Sequence, residues 1–301
     1  MPASGARILV VGALHLDVIL RAPRLPQLDE TLVGQSVRYA LGGKGGNQAV
    51  AARRMGASVA MAGRVGSDAF GGQLLAFLSG AGVDCGQIVQ GPGASGMSVA
   101  IIEAGGEYGA VIVSGENLNL AAADVALPDE TGALVLQNEV PEAVNLDLAR
   151  RARAAGIRVI LNAAPARDMP GALWPLLDLL VVNRLEARQL LGRDLAAPEA
   201  AEALRKMGPG AVIVTLGAEG QVLCRPGGTQ HLPAHGVSAV SAHGAGDAFI
   251  GALVAEWAAS GDLERAARLG AAFAALHVAS TPVEQARLTR NAALDLAGLP
   301  G

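Results

Sequence analysis

The stretch GAGDAFIGAL, residues 244–253, combines a glycine turn with the carboxylate of Asp247 and a following apolar run. An Asp at a helix start commonly caps the helix, because its carboxylate accepts backbone N–H bonds near the positive end of the helix dipole. A glycine turn at a helix start also binds anions, and a carboxylate beside it could act as a general base. The stretch alone leaves both interpretations open.

A second glycine turn, GGKGGNQA at residues 42–49, surrounds Lys44 with glycines at the start of another predicted helix. It is not a Walker A loop, because that motif requires Gly and then Ser or Thr where this chain has Arg38 and Gly45. Its backbone N–H groups, together with the side chains of Lys44 and Asn47, could hold the hydroxyl groups of a polyol. A helix-capping turn with a solvated lysine is the alternative.

Polar residues also follow several predicted strands, which is where ligands bind in open parallel sheets. Asn183 and Glu186 have the spacing of a capping box, but they could instead order a water-bridged Mg²⁺. His243 could contact a nucleotide or be structural, and no GxSxG motif supports an esterase triad. The set found at strand ends is Asp17, residues 42–47, Glu139, Asn183, Glu186, Thr215, Gly217 and residues 244–247.

The elements that must position these residues alternate between apolar strands and helices. This alternation predicts a parallel sheet with helices on both faces. Helix 246–261 is apolar nearly all round, which predicts that it is buried. Strands are predicted within 7–14, 59–66, 132–140, 157–165, 176–183, 210–220 and 221–228, and helices within 45–58, 68–84, 141–156, 184–192, 246–261 and 262–280.

Two stretches, residues 29–43 and 96–115, interrupt this alternation. Both are rich in β-forming residues, and Gly105-Gly106 in the second is typical of a hairpin turn. We expect antiparallel strands here, forming a small β layer that projects from the α/β body.

The overall composition excludes several classes of protein. With 301 residues, 51% hydrophobic, 17% charged and a net charge of −4, the chain fits a globular α/β protein without a basic surface for nucleic acid or anionic membranes. Cys85 and Cys224 are far apart, which argues against a metal site or disulfide framework and fits a reduced, cytoplasmic setting. No signal peptide or membrane span is expected.

Together the motifs resemble the PfkB family of carbohydrate kinases, specifically its ribokinase branch. GGKGGNQAVAARRMGA is similar to the family's N-terminal signature and GAGDAFIGAL to its C-terminal signature. LNAAPAR, VVNRLEA and VTLGAEG lie between them in the expected order, so the resemblance covers nearly the whole chain, 1–301, as one domain. It implies a ribokinase-like three-layer α/β/α fold with a mostly parallel central sheet and a projecting β-sheet lid, whose strands fall at about 14–20, 30–42 and 96–115.

The resemblance also implies an activity: ATP- and Mg²⁺-dependent phosphorylation of the primary hydroxyl of a pentose, D-ribose foremost. Asp247 would be the base, and the backbone of Gly244, Ala245 and Gly246 the anion hole. The lid would form the contact of a homodimer. The sugar would be held by His15, Asp17, Gly42, Gly43, Lys44, Asn47 and Glu139, the nucleotide by Asn183, Thr215, Gly217, Gly220 and His243, and Mg²⁺ by Glu186, through water, and Asn183.

Three departures from the family pattern modify these expectations. His15 stands where members usually carry Asn, which leaves open another sugar or a nucleoside such as pseudouridine as acceptor. Ser241 and Ala242 replace an Asp-Thr pair, and residues 279–287 replace a glycine-bearing loop of the monovalent-cation site. We therefore expect potassium activation to be absent. A non-catalytic sugar- or nucleotide-binding regulator is the remaining alternative, although such a protein would not need Asp247 as a base.

Overall fold

The computed structural model describes residues 7–103 and 108–301, and the strands within them form two sheets. The strands are β1 (Arg7–Val11), β2 (His15–Arg21), β3 (Ser36–Gly42), β4 (Val59–Gly66), β5 (Asp84–Gly91), β6 (Gly96–Ile102), β7 (Tyr108–Val113), β8 (Thr131–Gln137), β9 (Arg158–Asn162), β10 (Leu179–Asn183), β11 (Ala211–Thr215), β12 (Gln221–Arg225) and β13 (Gly228–Leu232). The helices are α1 (Lys44–Arg54), α2 (Ala69–Gly80), α3 (Glu142–Ala154), α4 (Arg184–Leu191), α5 (Ala197–Lys206), α6 (Ala245–Ser260), α7 (Leu263–Ala279), α8 (Pro282–Gln285) and α9 (Arg290–Ala297).

The larger sheet has the strand order β13-β12-β11-β10-β9-β8-β1-β4-β5. Neighbours from β5 to β11 run parallel, while β12 and β13 are antiparallel additions at one edge. Side chains alternate between the two faces, so that Ile8 of β1 belongs to the buried core shared with α1, α2, α6, α7 and α9, whereas Leu9 belongs to the core shared with α3, α4 and α5. The expected three-layer α/β/α body is therefore confirmed.

Helix α6 is buried continuously from Asp247 to Glu256, as its apolar sequence predicts. It packs against α1, and a Cβ at Gly251 would come within 2.4 Å of the Cβ of Ala51. This close approach requires a residue without a side chain. It brings together the two helices whose first residues belong to the two glycine turns.

The smaller sheet has the order β3-β2-β6-β7 and is the expected lid, with one correction: residues 30–35 are not in a strand. β3 and β7 pair antiparallel with β2 and β6, as expected, while β2 and β6 pair with each other in parallel. The parallel pairing follows from the larger sheet, because β2 and β6 continue the chain directly after the parallel strands β1 and β5. The expected turn at Gly105-Gly106 lies outside the described residues.

The elements that sequence patterning missed are mostly peripheral. β5 and β13 form the two edges of the larger sheet and are largely polar, so they lack the apolar runs that identify central strands. α5, α8 and α9 were also not expected.

Among the described residues, we find no helix whose length and apolar character would suit a membrane crossing.

Candidate active site

The two glycine turns open onto one cleft of about 210 Å³. Gly43 before α1 has φ 82° and Gly244 before α6 has φ 75°, values in the left-handed region that favours glycine. A Cβ at Gly43 would also come within 2.5 Å of the carbonyl oxygen of Ala13. The cleft is lined by residues of both turns and of two strand ends, including Lys44, Asn183, Glu186, Thr215 and residues 244–247.

Asp247 is buried at the inner end of this cleft and is held by side chains of α1. Its Oδ1 accepts a hydrogen bond from Nε2 of Gln48 at 2.9 Å, and its Oδ2 accepts one from Nδ2 of Asn47 at 3.2 Å. No side-chain hydrogen bond caps α6 at Gly244. Burial raises the pKa of Asp247, while the charge of Lys44 and the two amide bonds oppose that rise. In the described hydrogen bonds the carboxylate therefore accepts from side chains of α1 and not from the backbone of its own helix.

The residues expected at the sugar gather where the lid joins the body. Asp17 is 8% exposed, and a Cβ at Gly42 would come within 2.1 Å of its Oδ1, so the absence of a side chain at Gly42 leaves room for the carboxylate. The backbone N–H of Lys44 donates to Oε2 of Glu139 at 2.8 Å. Burial raises the pKa of both Asp17 and Glu139. Two partly desolvated carboxylates therefore face the same end of α1.

Two histidines flank Asp17. His15 is 4% exposed, its Nε2 has no hydrogen-bond partner among the described residues, and burial lowers its pKa. His243 is exposed, with its Nε2 3.9 Å from Oδ2 of Asp17. The structure thus places His243 beside a residue expected to bind the sugar, whereas the sequence interpretation placed it at the nucleotide.

Asn183 and Glu186 form a complete capping box at the start of α4. Oδ1 of Asn183 accepts the N–H of Glu186, and Oε2 of Glu186 accepts the N–H of Asn183, both at 2.8 Å. Burial raises the pKa of Glu186. The charge of Asp247 raises this pKa further, and the charge of Lys44 lowers it. Both residues also line the cleft, so capping and ligand binding are compatible here.

The donor set suits a magnesium ion that keeps most of its own water. Among the described residues there is no group of three or more His, Cys, Asp and Glu that could hold a metal by itself. Mg²⁺ usually takes one or two carboxylates, phosphate oxygens and several waters. In the described hydrogen bonds only Oε2 of Glu186 accepts a bond, so Oε1 is available to a water molecule bound to the ion. The residues fit the ion in this water-mediated form.

The positions expected at the nucleotide are only partly brought together. Thr215 lines the cleft at the end of β11, and its hydroxyl donates to the carbonyl of Val182 at 3.4 Å. Gly217 and Gly220 form the turn between β11 and β12, and neither lines that cleft. A Cβ at Gly220 would come within 2.2 Å of the carbonyl oxygen of Leu232. The absence of a side chain at Gly220 therefore allows the end of β13 to pack closely against this turn.

Three buried amides near Asp247, those of Gln48, Gln137 and Asn162, were not expected as site residues, although the Asn-Gln pair that contains Gln48 is part of the resemblance to the ribokinase branch. Asn162 ends β9, so the strand-end rule would have identified it. Gln48 is an amide directly before the Ala and Val residues of α1, which is a weak signal of a buried polar contact. Gln137 ends β8, where the sequence analysis had attended only to Glu139.

Comparison with known proteins gives matches over most of the chain. The sequence profile of the pfkB family carbohydrate kinases matches residues 6–287. Ribokinase of Haemophilus influenzae is 31% identical over 297 residues, covering 96% of this chain and 97% of that protein. Deoxyribokinase of Salmonella typhi is 32% identical over 281 residues, covering 90% of this chain and 92% of that protein. The structure of Arabidopsis thaliana ribokinase complexed with ribose and ATP superimposes with a TM-score of 0.89 at 26% identity, covering 99% of this chain and 100% of that chain.

Proposed function

Because this chain belongs to the PfkB family of carbohydrate kinases and is a phosphotransferase acting on a hydroxyl group, we propose that it transfers the γ-phosphoryl group of ATP to the primary hydroxyl of D-ribose. The observation that carries the proposal is the position of Asp247, a buried carboxylate beside the backbone N–H groups of residues 244–246. The ribose and ATP complex of a structurally similar ribokinase supports the choice of substrates.

In the proposed reaction, Asp247 accepts the proton of the sugar hydroxyl as the oxygen bonds to the γ-phosphorus. The bond from that phosphorus to the bridging oxygen breaks, and ADP leaves with the electron pair. The N–H groups of residues 244–246 stabilise the charge on the transferred group, and Lys44 adds a positive charge at the cleft. Mg²⁺, bound through water to Glu186 and Asn183, would neutralise phosphate charge.

The same geometry offers polar side chains to a bound sugar. Asp17 and Glu139 are carboxylates that can each accept hydrogen bonds from hydroxyl groups, and Asn47 presents an amide beside Asp247. We infer that these residues hold the ribose ring so that its primary hydroxyl faces Oδ2 of Asp247. Such alignment accounts for much of the barrier reduction in transfer reactions of this kind.

A second candidate acceptor is 2-deoxy-D-ribose. It is favoured by the comparable identity of this chain to a deoxyribokinase, 32%, and to a ribokinase, 31%. His15 is the side chain at which the two acceptors could be distinguished, because its buried Nε2 has no partner among the described residues. If that nitrogen contacts the 2-hydroxyl, loss of the hydroxyl leaves a buried polar group unpaired and rejects the deoxy sugar.

The decisive experiment measures ADP release with Mg·ATP and either sugar, and locates the phosphate in the product by NMR. We expect ribose 5-phosphate, with kcat/KM at least about tenfold higher for ribose than for 2-deoxyribose. Asp247→Asn should lower kcat by about 10²-fold or more, because it removes the base. Absence of ribose-dependent ADP release would refute the acceptor, and a preference for 2-deoxyribose would establish the second candidate.

We also propose that the chain forms a homodimer through its lid. The strand register aligns Tyr39, Val18, Val99 and Val111 in one row across β3, β2, β6 and β7. Asp17 lies one residue along β2, so this row is on the sheet face opposite the sugar residues. Tyr39 and Val111 are 49% and 68% exposed, which leaves apolar surface for a second copy of the chain to cover.

A further inference from the structure

A chain of three buried amides ends on the carboxylate of Asp247. Nε2 of Gln48 donates to Oδ1 of Asp247 at 2.9 Å and to Oδ1 of Asn162 at 3.1 Å. Oε1 of Gln48 accepts a hydrogen bond from Nε2 of Gln137 at 2.8 Å. Gln48 and Gln137 are 1% and 0% exposed, so neither reaches a ligand in the cleft. The reaction as proposed above leaves both without a role.

The hydrogen-bond directions among these amides are fixed by Asn162 and Asp247. Nδ2 of Asn162 donates to the carbonyl of Val181 at 3.2 Å, which turns its Oδ1 toward Gln48. Gln48 therefore meets two acceptors, one on Asn162 and one on Asp247, and must present its NH₂ group to both. Its oxygen then faces Gln137, which must present its own NH₂ group. Reversing either glutamine amide would set oxygen against oxygen in a buried site.

The side chain of Gln137 is closely packed, and its Oε1 has no hydrogen-bond partner among the described residues. A Cβ at Gly12, the residue that follows β1, would come within 1.8 Å of its Oε1, so the end of β1 packs directly against this side chain. Its backbone carbonyl accepts a hydrogen bond from Nδ2 of Asn145 in α3 at 2.8 Å. Two strands of the larger sheet and one helix therefore hold the origin of the chain of amides in place.

We propose that Gln48 is a positioning residue for Asp247 and that Gln137, by donating to Oε1 of Gln48, holds the Gln48 amide in place. The proposal rests on the proposed function, in which Asp247 is the base. By binding Oδ1, the Gln48 amide fixes the carboxylate plane and leaves Oδ2, on the side of Asn47, to accept the proton. The amide bond also stabilises the charged carboxylate against the burial that raises its pKa.

The test compares Gln48→Met and Gln137→Met with Gln221→Met. Methionine keeps the length of glutamine but removes its amide. Gln221 is a matched control, because it is 2% exposed and its Nε2 donates to the carbonyl of Ala267, in a contact that does not include Asp247. For Gln48→Met we expect kcat to fall at least about tenfold while KM for ribose changes less than about threefold.

The pH profile separates positioning from general stabilisation. Losing the Gln48 donor disfavours the carboxylate, so the acidic limb of kcat/KM should move to higher pH. Gln137→Met should shift it in the same direction by less, and it remains informative if Gln48→Met does not fold. Gln221→Met should lower Tm without moving the limb. An unchanged limb with kcat within twofold of wild type in Gln48→Met, or an equal change in Gln221→Met, would overturn the proposal.

A second readout does not depend on catalysis. NMR titration of ¹³C-labelled aspartate carboxyls, with Asp247→Asn identifying the resonance, should show a higher pKa for Asp247 in Gln48→Met than in wild type. An unchanged titration would overturn the proposal. The pKa of Asp247 could rise in Gln48→Met while the wild-type protein does not phosphorylate ribose. That result would count against ribose as the acceptor and would leave the Gln48–Asp247 contact established.

Discussion

At the scale of single residues, Gly42 provides a test of the sugar site that leaves the reacting groups intact. A Cβ at this position would come within 2.1 Å of Oδ1 of Asp17, whereas one at Gly109 of the same sheet would meet the side chain of Leu25 at an ordinary 3.4 Å. Gly42→Ala should therefore displace Asp17 and raise KM for ribose about tenfold, the cost of one charged hydrogen bond. Steady-state kinetics with Gly109→Ala as the control measures this, and an unchanged KM would exclude Asp17 from the sugar site.

The residues of the site differ in how well the sequence revealed them. Asp247 and Lys44 stand in glycine turns, and Asn183 follows a buried strand, so local patterns and the strand-end rule identified them. Gln48 has no such local sign, because its partners Gln137 and Asp247 lie 89 and 199 residues away along the chain. His243, which was expected at the nucleotide, lies 3.9 Å from Asp17, and no sequence pattern shows that its loop turns in that direction.

At the scale of elements, the central strands were predictable and the edges were not. β1, β8, β9 and β10 are nearly continuous apolar runs because helices cover both of their faces. β5 and β13 each have only one neighbour in the sheet, and their polar sequences resemble loops. The parallel pairing of β2 with β6 depends on the direction of the strands that precede them, which no pattern within the lid segments contains.

The packing of α6 on α1 depends on Gly251. Gly251→Ala would bring its Cβ within 2.4 Å of the Cβ of Ala51, so we expect the free energy of unfolding to fall by about 1–3 kcal/mol. Gly72→Ala is the control, because Gly72 is an exposed helical glycine with nothing within 4 Å of a new Cβ. That change should stabilise α2 by about 0.5–1 kcal/mol. Urea denaturation measures both, and equal effects would contradict the close packing of the two helices.

The turn before α6 is held by the end of α7, which supports our expectation about potassium. The N–H groups of Val240 and Ser241 donate to the carbonyl of Val278 at 2.7 and 3.1 Å, and Nε2 of His277 lies 3.1 Å from the carbonyl oxygen of His243. These protein contacts hold the loop in place. We predict that the kinase rate changes less than twofold between potassium chloride and tetramethylammonium chloride at equal ionic strength. A severalfold increase with potassium would show that this turn still requires the ion.

At the scale of the whole molecule, the lid has two chemically different faces. One carries His15 and Asp17 toward the site, and the other carries the apolar row of Tyr39, Val18, Val99 and Val111. A small sheet is stabilised where its apolar face packs against another surface. Covering the apolar row with a second copy would therefore stabilise the lid and, through Asp17, the sugar site. Dimer formation and sugar affinity should change together.

This coupling makes a prediction for Val111→Asp. A carboxylate in the apolar row should dissociate the dimer, because it would be buried without a partner, and KM for ribose should rise. Val283→Asp is the control, since Val283 is 67% exposed on α8, outside the lid. Sedimentation equilibrium at micromolar concentration should show dimers for wild type and the control but monomers for Val111→Asp. A monomeric wild type would contradict the lid dimer. A monomeric Val111→Asp with unchanged KM would mean that the dimer forms as proposed but does not support the sugar site.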